Sequence, residues 1–223
     1  MDALAAWYLF WVGVAAGVAL LAMTAYAGVS PLWLRGVLLA SGAVVMSRYV
    51  SMVVYATNPG PPAWEWWSRC WFGTSVGLTL PGVVALDQLV RHPAMTPKKL
   101  LTWFSPFLAA YAAVLALGTV ALAPDPIIGM RPHLVGWARV VLGLTHTGFV
   151  AGFLWVGIFL VRKLPVRRIQ VALLGLMAAF VYLGLDGIVE SVGWWYFRPF
   201  LFSDITALVA IWFALYTAQS SAL

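Results

Sequence analysis

Charge is what this sequence has least of. Asp, Glu, Lys and Arg together make up 9% of its 223 residues, while 63% are hydrophobic; a water-soluble domain carries about 25% charged residues. So little polar surface cannot coat a globule in water, which excludes an ordinary soluble domain. Cysteine is nearly absent too. The single Cys70 excludes an intramolecular disulfide and is read as a small apolar filler near a helix end. Of the three histidines, His92 and His133 fall in connections expected on opposite sides of a bilayer, so neither a histidine cluster nor a bis-histidine haem site is expected. Metal binding needs several converging ligands. Only His146 with Asp186 and Asp204 offers that chance, and neither a metal nor another cofactor is expected. The lysines, Lys98, Lys99 and Lys163, all sit in connections or at helix ends, which leaves a covalently bound retinal without an anchor. There is no glycine-rich phosphate loop and no nucleophile elbow, and the chain is not expected to be an enzyme. The net charge of +6 comes from basic residues that flank apolar runs. Such flanks orient membrane helices, and without a basic stripe or soluble module no nucleic-acid partner is expected.

Long apolar runs, in contrast, are plentiful. Seven stand out: Leu4–Ala27, Leu32–Ala56, Trp71–Val90, Leu101–Leu122, Gly136–Val161, Gln170–Glu190 and Phe200–Gln219. Each reaches the ~20 residues that span the hydrocarbon core. They predict an all-α polytopic membrane protein, a single seven-transmembrane-helix bundle over residues 1–223, multi-pass in the plasma or inner membrane with the lipid bilayer as its first partner. The breaks between runs carry turn chemistry, as in Gly28-Val29-Ser30-Pro31, Asn58-Pro59-Gly60-Pro61-Pro62 and Ala123-Pro124-Asp125-Pro126. Ala25-Tyr26-Ala27 looks like a signal-peptidase site. No basic residue precedes the first run, however, and the run exceeds a typical signal core, so it is read as a retained spanning helix.

Basic residues collect in alternate connections: Arg35, then Arg91, Lys98 and Lys99, then Arg162, Lys163, Arg167 and Arg168. The positive-inside bias predicts an outside N-terminus and a cytoplasmic C-terminus. Trp64, Trp66, Trp67 and Trp71, with Trp194, Trp195 and Tyr196, then fall outside, where they suit an interfacial belt or a lid over an outward-facing cavity. Gly13 with Gly17 and Gly148 with Gly152 form small-xxx-small patterns that allow close contact within the bundle or between protomers of a homo-oligomer. Pro81 and Pro106 predict kinks inside the third and fourth helices.

The informative feature is charge inside the runs. A charge at the centre of a spanning helix costs roughly 2.5–3.5 kcal/mol even on a lenient scale, so residues kept there pair or face a cavity. The candidates are Arg48, Arg139, His146, Asp186, Glu190 and Asp204. At about 1.5 Å of rise per residue, Arg48, His146, Asp186 and Asp204 all fall in the outer half. Asp186 and Glu190 are i,i+4 neighbours with Tyr182 one turn deeper; Arg139 and His146 share a face; Ser47, Tyr49 and Ser51 surround Arg48, and Ser203 and Thr206 surround Asp204. A ligand-binding pocket lined by Arg48, His146, Asp186, Asp204, Glu190, Arg139, Tyr182 and Tyr49 is expected to take a small polar, zwitterionic or lipid-like molecule from outside. The plainer reading is that Arg48 and a carboxylate only stitch the bundle, that Glu190 and Arg139 snorkel to headgroups, and that His146 is a hydrogen-bonded core residue. Asp87 is expected to reach water at the inner end.

Trp67-Ser68-Arg69-Cys70-Trp71-Phe72-Gly73 with Pro81 eight residues later, Arg167-Arg168-Ile169-Gln170-Val171-Ala172-Leu173-Leu174, and Phe202-Ser203-Asp204-Ile205-Thr206-Ala207-Leu208 resemble the starts of helices three, six and seven in the seven-helix sensor region of some bacterial histidine kinases. The residues that carry over are Trp67, Arg69, Gly73, Pro81, Gln170, Asp204 and Thr206, without assigned chemical roles. The resemblance implies detection of an external or membrane-borne signal and its relay to a cytoplasmic kinase. Because the sequence stops at Leu223, directly after the seventh run, a separate membrane or cytoplasmic signalling partner is expected. The leading expectation is a stand-alone sensory or ligand-binding module. Two others are a small-molecule or ion transporter or channel, disfavoured by the absence of inverted repeats and broken helices, and a structural or assembly subunit of a larger membrane complex.

Overall fold

The computed structural model describes residues 3–57, 65–91, 95–191 and 201–220; the side chains of Glu65, Ile188, Glu190 and Ser191 lie outside that set. Eight helices and one hairpin follow in order: α1 (Ala3–Ala27), α2 (Leu32–Thr57), α3 (Glu65–Cys70), α4 (Thr74–Val90), α5 (Pro97–Leu117), β1 (Val120–Asp125), β2 (Gly129–Leu134), α6 (Trp137–Val161), α7 (Arg167–Ser191) and α8 (Phe202–Ser220). α3 and α4, joined across a turn at Trp71–Gly73, run over one apolar stretch. Seven stretches are therefore long and apolar enough to cross a membrane, and the chain is a multi-pass membrane protein by length and composition. Trp103 and Trp155, each 76% exposed, show where the apolar surface goes: outward, where lipid rather than water is a tolerable neighbour.

The helices close a ring in chain order. α1 packs on α2, α2 on α4, α4 on α5, α5 on α6, α6 on α7, α7 on α8, and α8 back on α1. α4 is drawn inward and also touches α8, α7 and α6. Two close approaches hold it there. A Cβ on Gly77 would lie 2.2 Å from Val45 Cγ2 on α2, and one on Gly82 would lie 2.3 Å from Phe180 Cζ on α7. The core follows the same path, through Leu38, Val45, Leu78, Val84, Leu176, Phe180, Leu208 and Ile211.

α1 contributes a stripe of small residues, Ala15, Ala19, Ala22 and Ala25, each at most 6% exposed. The glycine pairs are used differently from the close contact their spacing suggests. Cβ atoms built on Gly13, Gly17 and Gly152 would meet nothing within 4 Å, and one on Gly148 only Phe107 at 3.9 Å. Within this bundle the alanines, not the glycines, make the close contacts of α1.

The fourth connection departs from a purely helical chain. The sequence predicts a helix through Leu122, but α5 stops at Leu117, and residues 120–134 form a two-stranded antiparallel hairpin, Val120 pairing with Leu134 and Asp125 with Gly129. Gly118 ends the helix in an extended conformation, with its N–H on the Val114 carbonyl. A side chain there would lie 2.9 Å from Ala138 Cβ at the start of α6. Asp125 Oδ1 accepts from the backbone N–H groups of Ile127 (2.8 Å) and Ile128 (3.1 Å), and Gly129 takes a positive φ of 81°. An Asx-stabilised three-residue loop closed by a left-handed glycine is a common hairpin connection. Apolar residues continue past Gly118 because the hairpin packs: Leu134 joins Val114 and Ala138 in a small second core.

The end of the bundle opposite the hairpin is fastened by side chains that cap helix carbonyls. Arg91 Nη2 donates to the Ala218 carbonyl at 2.6 Å, Gln219 Nε2 to the Ala25 carbonyl at 2.8 Å, and Gln170 Nε2 to the carbonyl of Val161, the last residue of α6, at 3.2 Å. The last four carbonyls of a helix have no internal i+4 partner, and these side chains supply donors there, the Ala25 carbonyl also accepting from the Gly28 N–H at 3.2 Å. They also tie the end of α8 to the ends of α4 and α1.

Candidate functional site

α1 and α4 each pack against both α2 and α8, whereas α2 and α8 do not share a packing face of comparable extent. The four helices thus form a rhomb with α2 and α8 at opposite corners, a gap only a long side chain can cross. Arg48, on the buried face of α2, crosses it. Its Nη1 donates to Oδ2 of Asp204, the third residue of α8, in an ion pair whose side chains are 3% and 4% exposed. Such a pair is costly to desolvate and is held by geometry and by its hydrogen bonds.

A second carboxylate is attached to it. Ser203, buried beside Asp204, donates its hydroxyl to Asp186 Oδ2 on α7 at 2.7 Å. Tyr182, one turn below Asp186 and exposed at the bundle surface, lies within electrostatic reach of it. Tyr49, 1% exposed, lies within electrostatic reach of both Asp204 and Arg48. Two polar atoms of this centre, the Tyr49 hydroxyl and Arg48 Nε, are buried without a hydrogen-bond partner among the described residues. So is Trp11 Nε1 on α1, whose ring packs edge-on against Phe202 with centroids 4.9 Å apart. An unmatched buried donor costs about 1–3 kcal/mol, so native proteins leave few of them.

Of the predicted lining, the structure therefore brings together Arg48, Asp204, Tyr49 and Asp186, with Tyr182 at the margin. It does not bring in the two residues of α6. Helix α6 packs chiefly on α5 and α7; the half-buried His146 has its ring 6.4 Å from that of Phe149, in a cluster with Phe104, Phe107, Phe153 and Phe180. Arg139 is exposed near the start of α6. Its spacing from His146 placed both on one face, but that face belongs to another part of the ring. The Glu190 side chain and Trp64, Trp194, Trp195 and Tyr196 lie outside the described residues, and that part of the predicted lid with them; of the rest, Trp66 is exposed and Trp71 is turned into the core. Among the described residues no group of three or more His, Cys, Asp or Glu is placed to hold a metal ion.

Two contributors, Ser203 and Ser51, were visible only as flanking letters, and a third, Trp11, not at all. Ser203 links the two carboxylates, Trp11 adds a buried donor, and Ser51 donates to the Trp67 carbonyl at 2.6 Å. That last bond docks α3 on α2, beside the edge-on contact of Tyr55 with Trp71. Arg69 finishes the same end of the bundle: its Nη1 donates to the carbonyls of Leu115 (2.8 Å), Ala116 (2.9 Å) and Gly118 (3.2 Å), closing the C-terminus of α5.

In comparisons with known proteins, no protein family, curated protein or solved structure matches this chain.

Proposed function

We propose that this protein is a seven-helix sensory or ligand-binding module of the cell membrane, N-terminus outside and C-terminus cytoplasmic, that receives a small polar ligand at the Arg48–Asp204 centre. The observation that carries the reading is that ion pair, spanning the diagonal between α2 and α8, with unmatched polar atoms beside it. A pair kept solely for stability would be expected to have its neighbouring donors satisfied, since the interior penalises each one left open. In this reading the hairpin end faces outside.

A route from ligand to signal follows from the packing. A ligand that competes for Arg48 or Asp204 loosens the link between α2 and α8 at the hairpin end. At its other end α8 holds α4 through Arg91 and α1 through Gln219. A tilt of α8 would therefore reach the cytoplasmic ends of two further helices, where a membrane or cytoplasmic signalling partner could read it. This is the kind of role implied by the resemblance to histidine-kinase sensor regions.

A library of small polar metabolites, screened by thermal unfolding of the full chain in lipid nanodiscs, tests the reading. At least one compound should raise the unfolding temperature of the parent and lose that effect in Asp204→Asn and in Ser203→Ala, the milder of the two changes. A parent stabilised by no compound, or variants that respond as the parent does, would remove it.

A second reading has one observation in its favour. Gly13 and Gly17 present an open small-residue strip on the surface of α1, as a subunit contacting another membrane helix would. A stoichiometric partner retained on purification, and lost on Gly17→Leu, would support an assembly role; a lone monomer would oppose it.

A further inference from the structure

The unmatched atoms have a chemical sense that bears on what the ligand is. Arg48 Nε–H is only ever a donor, and so is Trp11 Nε1–H. The Tyr49 hydroxyl can donate or accept, but its near neighbours, Arg48 and Asp204, are already joined to each other. Arg48 spends Nη1 on Asp204 and keeps Nε unused, at 2% exposure for the whole residue. The supply side of the centre is thus an excess of buried hydrogen-bond donors near the first turn of α8. A helix N-terminus adds further N–H groups and a partial positive charge.

We infer that the ligand meets the centre acceptor-first: it carries a carboxylate that seats against Arg48 Nε–H and the Tyr49 hydroxyl. This rests on the ligand-binding reading above and narrows it to a chemical class, small carboxylates including amino-acid zwitterions. A guanidinium that already pairs with Asp204 through one nitrogen can bind a second carboxylate through another edge, since its donors are fixed in a planar fork. The carboxylate satisfies two donors that the protein leaves open, and in doing so draws Arg48 away from Asp204. Binding and weakening of the α2–α8 link are then one event.

The test uses the full chain in phosphatidylcholine nanodiscs, with sodium acetate, glycine and methylammonium chloride as probes at constant ionic strength. Acetate and glycine should each raise the unfolding temperature in a saturable way, and methylammonium should not. Tyr49→Phe should weaken acetate by roughly tenfold, the effect of one strong hydrogen bond. Its ligand-free unfolding temperature should stay level or rise, because a buried hydroxyl without a partner has been deleted. Arg48→Lys keeps a positive charge opposite Asp204 but has no Nε–H, and should weaken acetate similarly. A response to methylammonium alone assigns the centre to a cation; it overturns the carboxylate and leaves the ligand-binding reading in place. No response to acetate or glycine overturns the inference as well. If the metabolite screen is also silent, the broader reading falls with it.

Discussion

The pairing of Arg48 with Asp204 illustrates how one residue type decides a local structure. Removing one partner strands the other's charge in a medium that cannot solvate it, which typically costs about 3–5 kcal/mol. Replacing both by apolar residues removes the charge together with its partner. Asp204→Ala should therefore destabilise the bundle by several kcal/mol in a denaturant titration, while Arg48→Met combined with Asp204→Leu should recover most of the loss. A double variant as unstable as the single one would mean that the pair is not the local determinant. A second residue-scale prediction concerns Gly82. Phe180 is fully buried and its ring edge occupies the place of the missing side chain, so Gly82→Ala should cost about 1–3 kcal/mol through overpacking. Phe180→Leu in the Gly82→Ala background should restore part of it, read as a coupling energy in a double-mutant cycle. Strict additivity would show that the two do not touch. Sequence alone marked Arg48 and Asp204, because charge in an apolar run stands out. It could not mark Gly82, whose role exists only opposite Phe180.

At the scale of elements, α5 shows where periodicity fails as a guide. Apolar residues resume directly after Gly118 and Thr119, and a hydrophobic run contains no sign of whether it is helix or strand when it is short. The decision lies in Gly118 and in the Asp125 and Gly129 of the hairpin loop. Arg69 then supplies the acceptors at the end of α5 with a charged donor. Hydrogen bonds to charged groups are worth about 1.5–3 kcal/mol, so Arg69→Ala should loosen the last turn. Hydrogen–deuterium exchange should rise in peptides covering residues 114–118 and stay unchanged in α8; unchanged exchange at 114–118 would argue that the cap is dispensable. In α1 the reverse lesson holds. The Gly13–Gly17 spacing looked like a packing motif, yet the alanine stripe three and four residues apart is what lies against α2 and α8.

For the whole molecule, the ring in chain order with α4 inside explains why four of the predicted polar positions converge and two do not. Neighbours in the ring share a centre: α8 lies between α7 and α1, and α4 bridges to α2. α6 is on the far side, so His146 and Arg139 are separated from Arg48 by intervening helices rather than by depth. The proposed orientation makes its own prediction. In a Cys70→Ser background, Leu122→Cys on the hairpin should react with a membrane-impermeant maleimide on intact cells, and Met95→Cys between α4 and α5 should not; both positions are exposed. The opposite labelling pattern would reverse the assigned sides.

Seven spans and their approximate limits were determined by the sequence by itself, because a bilayer admits so few solutions: about twenty apolar residues in a row must be helical to satisfy their backbone. That Arg48, Asp186 and Asp204 lie at a common level of the bundle was legible for the same reason, as level is only a count along a helix. Which helix faces which was not. The rotation of each helix about its axis and its place in the ring depend on contacts between residues far apart in the chain, such as Arg48 with Asp204 or Gly82 with Phe180, and lipid is nearly as apolar as the core, so the pattern of hydrophobicity carries little record of them. Those contacts exist only after packing, and they alone selected the members of the polar centre.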